Sequence, residues 1–444
     1  MEASSMPIQT ENYIEWFRSA APYIHAHRGK TFVLHIEDRL LASDVMAHLV
    51  HDIALLNSLG VRLVLTYGAR QQIEEKLDAG KKDHRIVKGL RLTNQQTLDT
   101  VIQVVGALRI RLEAMFTMSM PNSPMEQSRI KVSSGNFVTA KPVGVIDGVD
   151  LEFTGNVRRV DSNLIRTNLD NHEIVLISPV GYSLTGEVFN LSSLDIASQV
   201  AISLRADKLL FLMYGENFVD ADGNLIEQFT SEQAKAMLAK SGNGDSTKCA
   251  VLAAGLQGTM NGVGRIHFID QEKDGSLMLE LFSRDGVGTL LTDLPFDEMR
   301  TASIDDVGGI LELIQPLEEA GYLVRRSREK LEMDINDFTV LIRDGSVIGC
   351  AALHLYADES VAELACMVIN EDYKNSGRGR DLLQKLEKDA RDRGVSRLFV
   401  LTTQTIHWFL EQGFSEAEID DLPMARKEIY NYQRNSRVLV KDLR

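Results

Sequence analysis

One stretch near the C-terminal end joins a carboxylate to the makings of an anion cradle. It reads Glu363-Leu-Ala-Cys366-Met367-Val368-Ile-Asn-Glu-Asp-Tyr-Lys374-Asn-Ser-Gly377-Arg378-Gly379-Arg380. An apolar, strand-like run passes into a short basic loop, and the loop passes into a helix starting near Arg380. Two glycines permit the tight turn that aims successive backbone N–H groups at one point. The positive end of the following helix faces the same point. Such a cradle suits a diphosphate, and Glu363 lies on the strand that feeds it. A diphosphate-bearing cosubstrate brought beside a proton acceptor predicts group transfer. Alone, a short Gly-rich loop fits a surface turn and helix cap equally well, so the rest of the chain must decide.

The elements that position this stretch follow from patterning. At 444 residues the chain is long enough for two to three domains. Its formal charge of −15 argues against a nucleic-acid partner, so any anionic ligand must be met by local arginines and lysines. Cys249, Cys350 and Cys366 lack metal-ligand spacing, which predicts no metal and a reducing cytoplasm. The N-terminus lacks the pattern of a signal peptide, and no apolar run approaches the ~20 residues of a membrane span.

Residues 11–28 read as an amphipathic helix carrying Tyr13, Ile14, Trp16, Phe17 and Tyr23, interrupted near Pro22. A strand at Phe32–Ile36, a helix from an N-cap at Ser43 to Ser58, and a buried strand at Arg62–Gly68 follow. This βαβα alternation predicts an α/β fold with a mainly parallel sheet covered on both faces. Helices are expected over Thr97–Thr117, Leu191–Leu204, Ser231–Ala239 and Thr247–Thr259. Strands are expected at Glu173–Pro179, Asp207–Met213, Arg265–Asp270 and Leu277–Phe282. A Pro-containing joint at Thr292–Asp297 then restarts the pattern. The expected organisation is an arm over 1–29, one domain over 30–293 and a second over 298–444.

The spacing Lys374-x-x-Gly377-x-Gly379 resembles the cofactor loop of the GNAT acetyltransferases, with Lys a mild departure at its first position. Trp408-Phe409-Leu-Glu-Gln-Gly413-Phe414 resembles that family's late helix and turn. Residues 30–290 resemble the amino-acid kinases in Leu63-Val-Leu-Thr-Tyr-Gly-Ala-Arg-Gln-Gln-Ile73, Phe153-Thr-Gly-Asn-Val-Arg-Arg-Val-Asp161 and Ala206-Asp-Lys208-Leu-Leu-Phe-Leu212. Kinase chemistry needs cations around the moving phosphoryl group. The stretch Leu34-His-Ile-Glu37 has neither the lysine nor the glycines of that family, and Gly242–Lys248 does not match its later lysine turn. The first domain is therefore read as a kinase fold without kinase activity.

The pairing of the two domains resembles the bacterial N-acetylglutamate synthase family. That resemblance implies acetyl transfer from acetyl-CoA to L-glutamate by direct attack, at the start of arginine biosynthesis. It implies Glu363 as general base, with burial raising its pKa. Cys366, Met367, Val368, Lys374, Gly377, Arg378 and Gly379 would hold the cosubstrate. Backbone N–H groups of Cys366–Val368 would meet the thioester oxyanion. The family's usual tyrosine acid is replaced by Phe409, leaving the Thr402 hydroxyl as the matched candidate. Arg326, Cys366 and Arg434 would meet glutamate, with Arg328 nearby. In the first domain, Tyr23, Lys208, His267, Glu280, Ser283, Gly286 and Gly288 resemble an L-arginine site, and the family implies a homo-oligomer, a hexamer. Three other readings stay open: an arginine sensor with a vestigial transferase, an active N-acetylglutamate kinase, and a transferase with another amine acceptor.

Overall fold

Strands Thr31–Ile36, Arg62–Tyr67 and Lys208–Met213 are buried along nearly their whole length, as strands covered on both faces must be. The computed structural model describes residues 10–80, 85–118, 125–126, 129–220, 222–240, 247–283, 286–293, 297–343, 346–374, 377–431 and 436–443. The chain divides into two compact units, 1–294 and 295–444.

In the first unit these strands form the middle of an eight-stranded sheet. Its neighbours pair in parallel, except Ile266–Asp270 with Thr289–Leu291. Strand alternation builds two cores. Phe32, Leu34, Leu63, Leu65 and Leu210 face one, and Val33, Val64, Leu209, Phe211 and Phe268 face the other. The result is an αβα sandwich, with a second four-stranded sheet beside it.

Three local expectations change. The helix Thr10–His27 runs unbroken through Pro22. Proline removes one N–H, and the exposure of Arg18 and Pro22 leaves the freed carbonyl of Arg18 open to water. Ser43 caps no helix: its hydroxyl donates to the Leu40 carbonyl at 2.8 Å, and the helix runs Met46–Ser58. Ser276–Phe282 is a helix, not a strand. Leu277, Leu279 and Leu281 alternate like a strand, but Leu277, Leu281 and Phe282 are buried while Leu279 is 42% exposed, which is the helical period. This helix carries Glu280 and packs against the N-terminal arm, where the His27 ring lies edge-on to Phe282 at 5.6 Å.

The second unit is a seven-stranded sheet in the order Asp297–Thr301, Phe338–Arg343, Ser346–Tyr356, Val361–Ile369, Arg397–Thr402, Arg437–Asp442, Ser415–Ala417. Neighbours are antiparallel except Val361–Ile369 with Arg397–Thr402. A parallel pair needs a crossover, and the helix Arg378–Asp392 supplies it. Its Leu382, Leu383, Leu386 and Ala390 pack into the core under the sheet.

Candidate active site and a buried polar relay

Val361–Ile369 is an irregular strand. Between the pairs Cys350↔Val368 and Ala352↔Ala365 it holds one extra residue, and Cys366 has φ +51°. A bulge of this kind bends the strand and re-aims its backbone. On the opposite edge, pairing with Arg397–Thr402 ends at Glu363↔Phe399. The two parallel strands part there, so the backbone beyond Glu363 is turned away from its neighbour. Cys366, Met367 and Val368 lie on this parted segment. Gly377 adopts φ +84° as the N-cap of Arg378–Asp392, a conformation that favours glycine. A Cβ at Gly379 would make an ordinary contact with Trp408 at 3.4 Å. The Arg378 guanidinium stacks 5.1 Å from the Tyr373 ring. Lys374 is exposed and pairs with Glu371. Residues 375 and 376 lie outside the described residues.

Glu363 is buried, and its carboxylate is already engaged. Arg426 forks it, with Nε donating to Oε2 at 2.7 Å and Nη2 to Oε1 at 3.2 Å. The Tyr356 hydroxyl donates to Oε2 at 3.4 Å. Burial and then the Glu363 charge push that hydroxyl up to about 12, against the pull of Arg426. Sequence reasoning missed Arg426 and Tyr356. The only trace of Arg426 is a basic pair in the otherwise acidic run Ser415–Glu428.

Arg326 is half-buried, donates to the Val324 carbonyl at 3.4 Å, and its charge acts on the thiols of both Cys350 and Cys366. It therefore lies near the bulge. Cys350 donates to the Cys366 carbonyl at 3.7 Å, and its bond to Cys366 and burial push its thiol well up. Arg328 is exposed and pairs with Glu332 at 2.8 Å. Arg434 lies outside the described residues. Thr402 is buried, shares a 2.9 Å hydrogen bond with the Thr405 hydroxyl and accepts from the Thr405 N–H at 3.2 Å. That gives it a structural task at the start of the helix Ile406–Glu411. Phe409 is a core ring between Trp408 and Phe414, at 5.0 and 5.2 Å.

In the first unit, Lys208 Nζ donates to His267 Nε2 at 3.2 Å, and His267 Nδ1 donates to Glu280 Oε1 at 2.6 Å. Burial and then Lys208 hold His267 below its ordinary range, so a neutral imidazole relays between cation and carboxylate. Burial opposes Glu280 ionisation, but His267 and two N–H donors outweigh it and hold the carboxyl low. Those donors are Val287 and Gly288, each at 2.8 Å. A Cβ at Gly286 would stand 2.4 Å from Glu280 Oε2, and one at Gly288 would stand 2.6 Å from the Phe268 carbonyl. Both positions thus require glycine for the turn to close on the carboxylate. Ser283 is tied to the Leu279 carbonyl at 2.5 Å. Tyr23 is half-buried, 6.4 Å from the ring of His27. His27, four residues along the same helix, donates to the Leu281 carbonyl at 2.8 Å, and burial pushes it down to about 4. Its i+4 spacing from Tyr23 was the available signal.

At the end of the central strand Thr31–Ile36, His35 bonds Thr66 at 3.0 Å and burial pushes it down to about 3. Glu37 is buried, pairs with Arg39, and accepts from the Tyr214 N–H at 2.8 Å. Arg39 also binds Glu216 at 2.9 Å, so the cation here is held between two carboxylates.

Residues 30–270 match the amino acid kinase family model, and residues 308–414 match the acetyltransferase (GNAT) family model. An amino-acid acetyltransferase of Ectopseudomonas mendocina is 48% identical over 97% of this chain and 100% of its own length. The chain belongs to the amino-acid acetyltransferase family. It is an acyltransferase built from an amino-acid-kinase-like α/β domain and a GNAT domain. A relative from Azotobacter vinelandii, with the same name, is also 48% identical over 97% of this chain. The N-acetylglutamate synthase of Neisseria gonorrhoeae, solved with coenzyme A and L-arginine, is 37% identical, with a TM-score of 0.88 over 97% of this chain and 99% of its own. The same enzyme with coenzyme A and N-acetyl-glutamate gives a TM-score of 0.62. Among the described residues of this acetyltransferase, no group of three or more His, Cys, Asp or Glu could hold a metal, and no helix is long and apolar enough to cross a membrane.

Proposed function

We propose that the chain is an N-acetylglutamate synthase, moving acetyl from acetyl-CoA directly to the amino group of L-glutamate at the first step of arginine biosynthesis. One observation carries the reading: a buried carboxylate stands where two parallel strands part and the next residues bulge. Parted strands expose backbone N–H groups to an extended acyl-CoA arm, and the Gly377 turn heading a helix suits its pyrophosphate. Lys374, Arg378 and Gly379 belong to that turn, and Cys366, Met367 and Val368 to the arm's path. Glu363 takes a proton from the substrate ammonium, whose freed lone pair then attacks the thioester carbon. The tetrahedral adduct's nitrogen sheds its second proton as the C–S bond breaks, and CoA leaves as a thiolate that takes up one proton. Arg326 and Arg434 meet the two carboxylates of glutamate, beside the Cys366 backbone. Thr402 remains the matched proton donor, as a relay that takes up a proton from solvent as it gives one to the thiolate, so that no alkoxide is left. A thiol pKa near ~8.5 makes that requirement modest.

A coenzyme-A- and N-acetyl-glutamate-bound relative supports this choice of substrates. The test is release of free thiol from acetyl-CoA. It should depend on L-glutamate and proceed without ATP or added metal. A requirement for ATP, or a better rate with another amine, would refute the assignment.

The first domain we read as an L-arginine sensor over 30–293 that has lost kinase chemistry, preceded by the arm over 1–29 and followed by the transferase over 298–444. Glu37 and the doubly paired Arg39 leave the strand end poorly suited to a polyphosphate. Glu280 instead supplies a carboxylate for a guanidinium, which would displace part of its present set of His267, Val287 and Gly288 donors, with Gly286, Ser283, Lys208 and Tyr23 around it. The arm exposes Ile14 and Phe17, at 43% and 55%, a surface suited to self-association as a homo-oligomer, a hexamer by family resemblance. The protein is read as cytoplasmic. Arginine should inhibit, by binding one arrangement of the assembly better than another. In Glu280→Ala the ratio of rates with and without arginine should lose its dependence on arginine, measured alongside thermal unfolding. A wild-type response in that variant would place the effector site elsewhere.

A further inference from the structure

We propose that Arg426 determines specificity as a clasp on Glu363, released when an acidic acceptor substitutes its own carboxylate. The inference rests on Glu363 being the proton acceptor for glutamate. The fork from Nε and Nη2 takes one lone pair on each carboxylate oxygen, at 2.7 and 3.2 Å, and Tyr356 approaches a second on Oε2 at 3.4 Å. The two side chains are only 17% and 10% exposed, so water does little to loosen the pair. A substrate ammonium that approaches Glu363 from the side of the fork finds both oxygens already taken. Proton transfer therefore requires the fork to open.

The element holding Arg426 is short and lies between the buried Leu422 and Tyr430. Met424–Lys427 is a four-residue helix with no buried residue of its own, and Met424 and Ile429 are 71% and 69% exposed. It is tied down through the Met424 N–H to Glu359 at 3.0 Å, Lys427 to the Asp420 carbonyl, and Arg426 Nη1 to the Ile429 carbonyl at 3.4 Å. Elements with little buried apolar contact open at low cost. The decisive term is the fate of the guanidinium. Breaking a half-hidden ion pair strands a charge, which is costly. Glutamate avoids that cost, because its side-chain carboxylate, shared with one of the substrate arginines, takes the place of Glu363 on the Arg426 fork. Glutamine lacks the side-chain carboxylate and keeps only the α-carboxylate that a substrate arginine holds, so Glu363 stays clasped. Discrimination then appears in turnover as well as in binding.

The experiment compares wild type, Arg426→Gln and Arg426→Lys with L-glutamate and L-glutamine, separating kcat from KM. Acetyl-CoA affinity and thermal unfolding are followed in parallel. In Arg426→Gln the glutamate-to-glutamine ratio of kcat should fall by at least about tenfold, the worth of one modest charge-assisted contact. The KM for glutamate should rise. Arg426→Lys, a point charge without the fork, should fall between. An equal loss of kcat for both acceptors would make Arg426 a mere orienter of Glu363, and unchanged ratios in both variants would make it a spectator. Either result overturns the clasp. If Arg426→Gln unfolds, the Lys variant decides by the same ratio. Wild type that fails to acetylate glutamate would instead sink the underlying reading.

Discussion

Glu363→Gln should lower glutamate-dependent turnover by roughly 100- to 10,000-fold, the usual loss when a positioned base is removed. Acetyl-CoA binding should change little, because the Gly377 turn and the parted backbone do not use this side chain. Glutamine keeps the shape and one acceptor oxygen, so the Nη2 or Nε contact from Arg426 survives in part. It cannot take the substrate proton at the required pH. The substitution also leaves Arg426 without its counter-charge, with a side chain only 17% exposed. Some loss of stability is therefore expected, of about 1–3 kcal/mol for a charged group left short of partners. Stopped turnover in a folded, acetyl-CoA-binding variant assigns the proton transfer to Glu363. Near-wild-type turnover across a pH series would remove Glu363 from the reaction.

Arg326→Ala should weaken glutamate far more than acetyl-CoA, by roughly 2–5 kcal/mol if the carboxylate contact is desolvated. That corresponds to about 30- to 4,000-fold in affinity. The position supports a selective effect. Arg326 lies near the Cys350–Cys366 bulge, while the Gly377 cradle belongs to the loop after Ile369 and the head of the helix Arg378–Asp392, which do not use the Arg326 side chain. In this structure its side chain donates to the Val324 carbonyl, so a substrate carboxylate competes with a weak neutral bond at 3.4 Å. Lysine should restore little, because a point charge cannot reproduce the fork. KM values for both substrates and an unfolding curve provide the check. Equal weakening of both substrates would indicate a folding defect.

The amino-acid order by itself determined the architecture. Continuous apolar strands alternating with helices require a parallel sheet buried on both faces, and the eight-stranded sheet has that form. The joint after Thr292 and the restarted pattern belong with two compact units meeting at 294/295. The turn at Gly377 that heads a helix, and Glu363 on the strand before it, were legible because strand, turn and helix lie in local spacing. Where sequence periodicity was ambiguous, it misled. Ser276–Phe282 satisfies both a period of two and a helical period, and only burial of Leu277, Leu281 and Phe282 chose the helix.

Tertiary structure alone decided the partners. Arg426 is 63 residues from Glu363 along the chain, yet the two close to 2.7 Å. Lys208 and His267 are 59 residues apart, and they relay into Glu280 because adjacent parallel strands set Leu210 beside His267. A sequence records which groups can ionise, but not which counter-charge burial will force upon them. Burial makes a charge costly until an opposite one reaches it, and only the folded sheet fixes which one does.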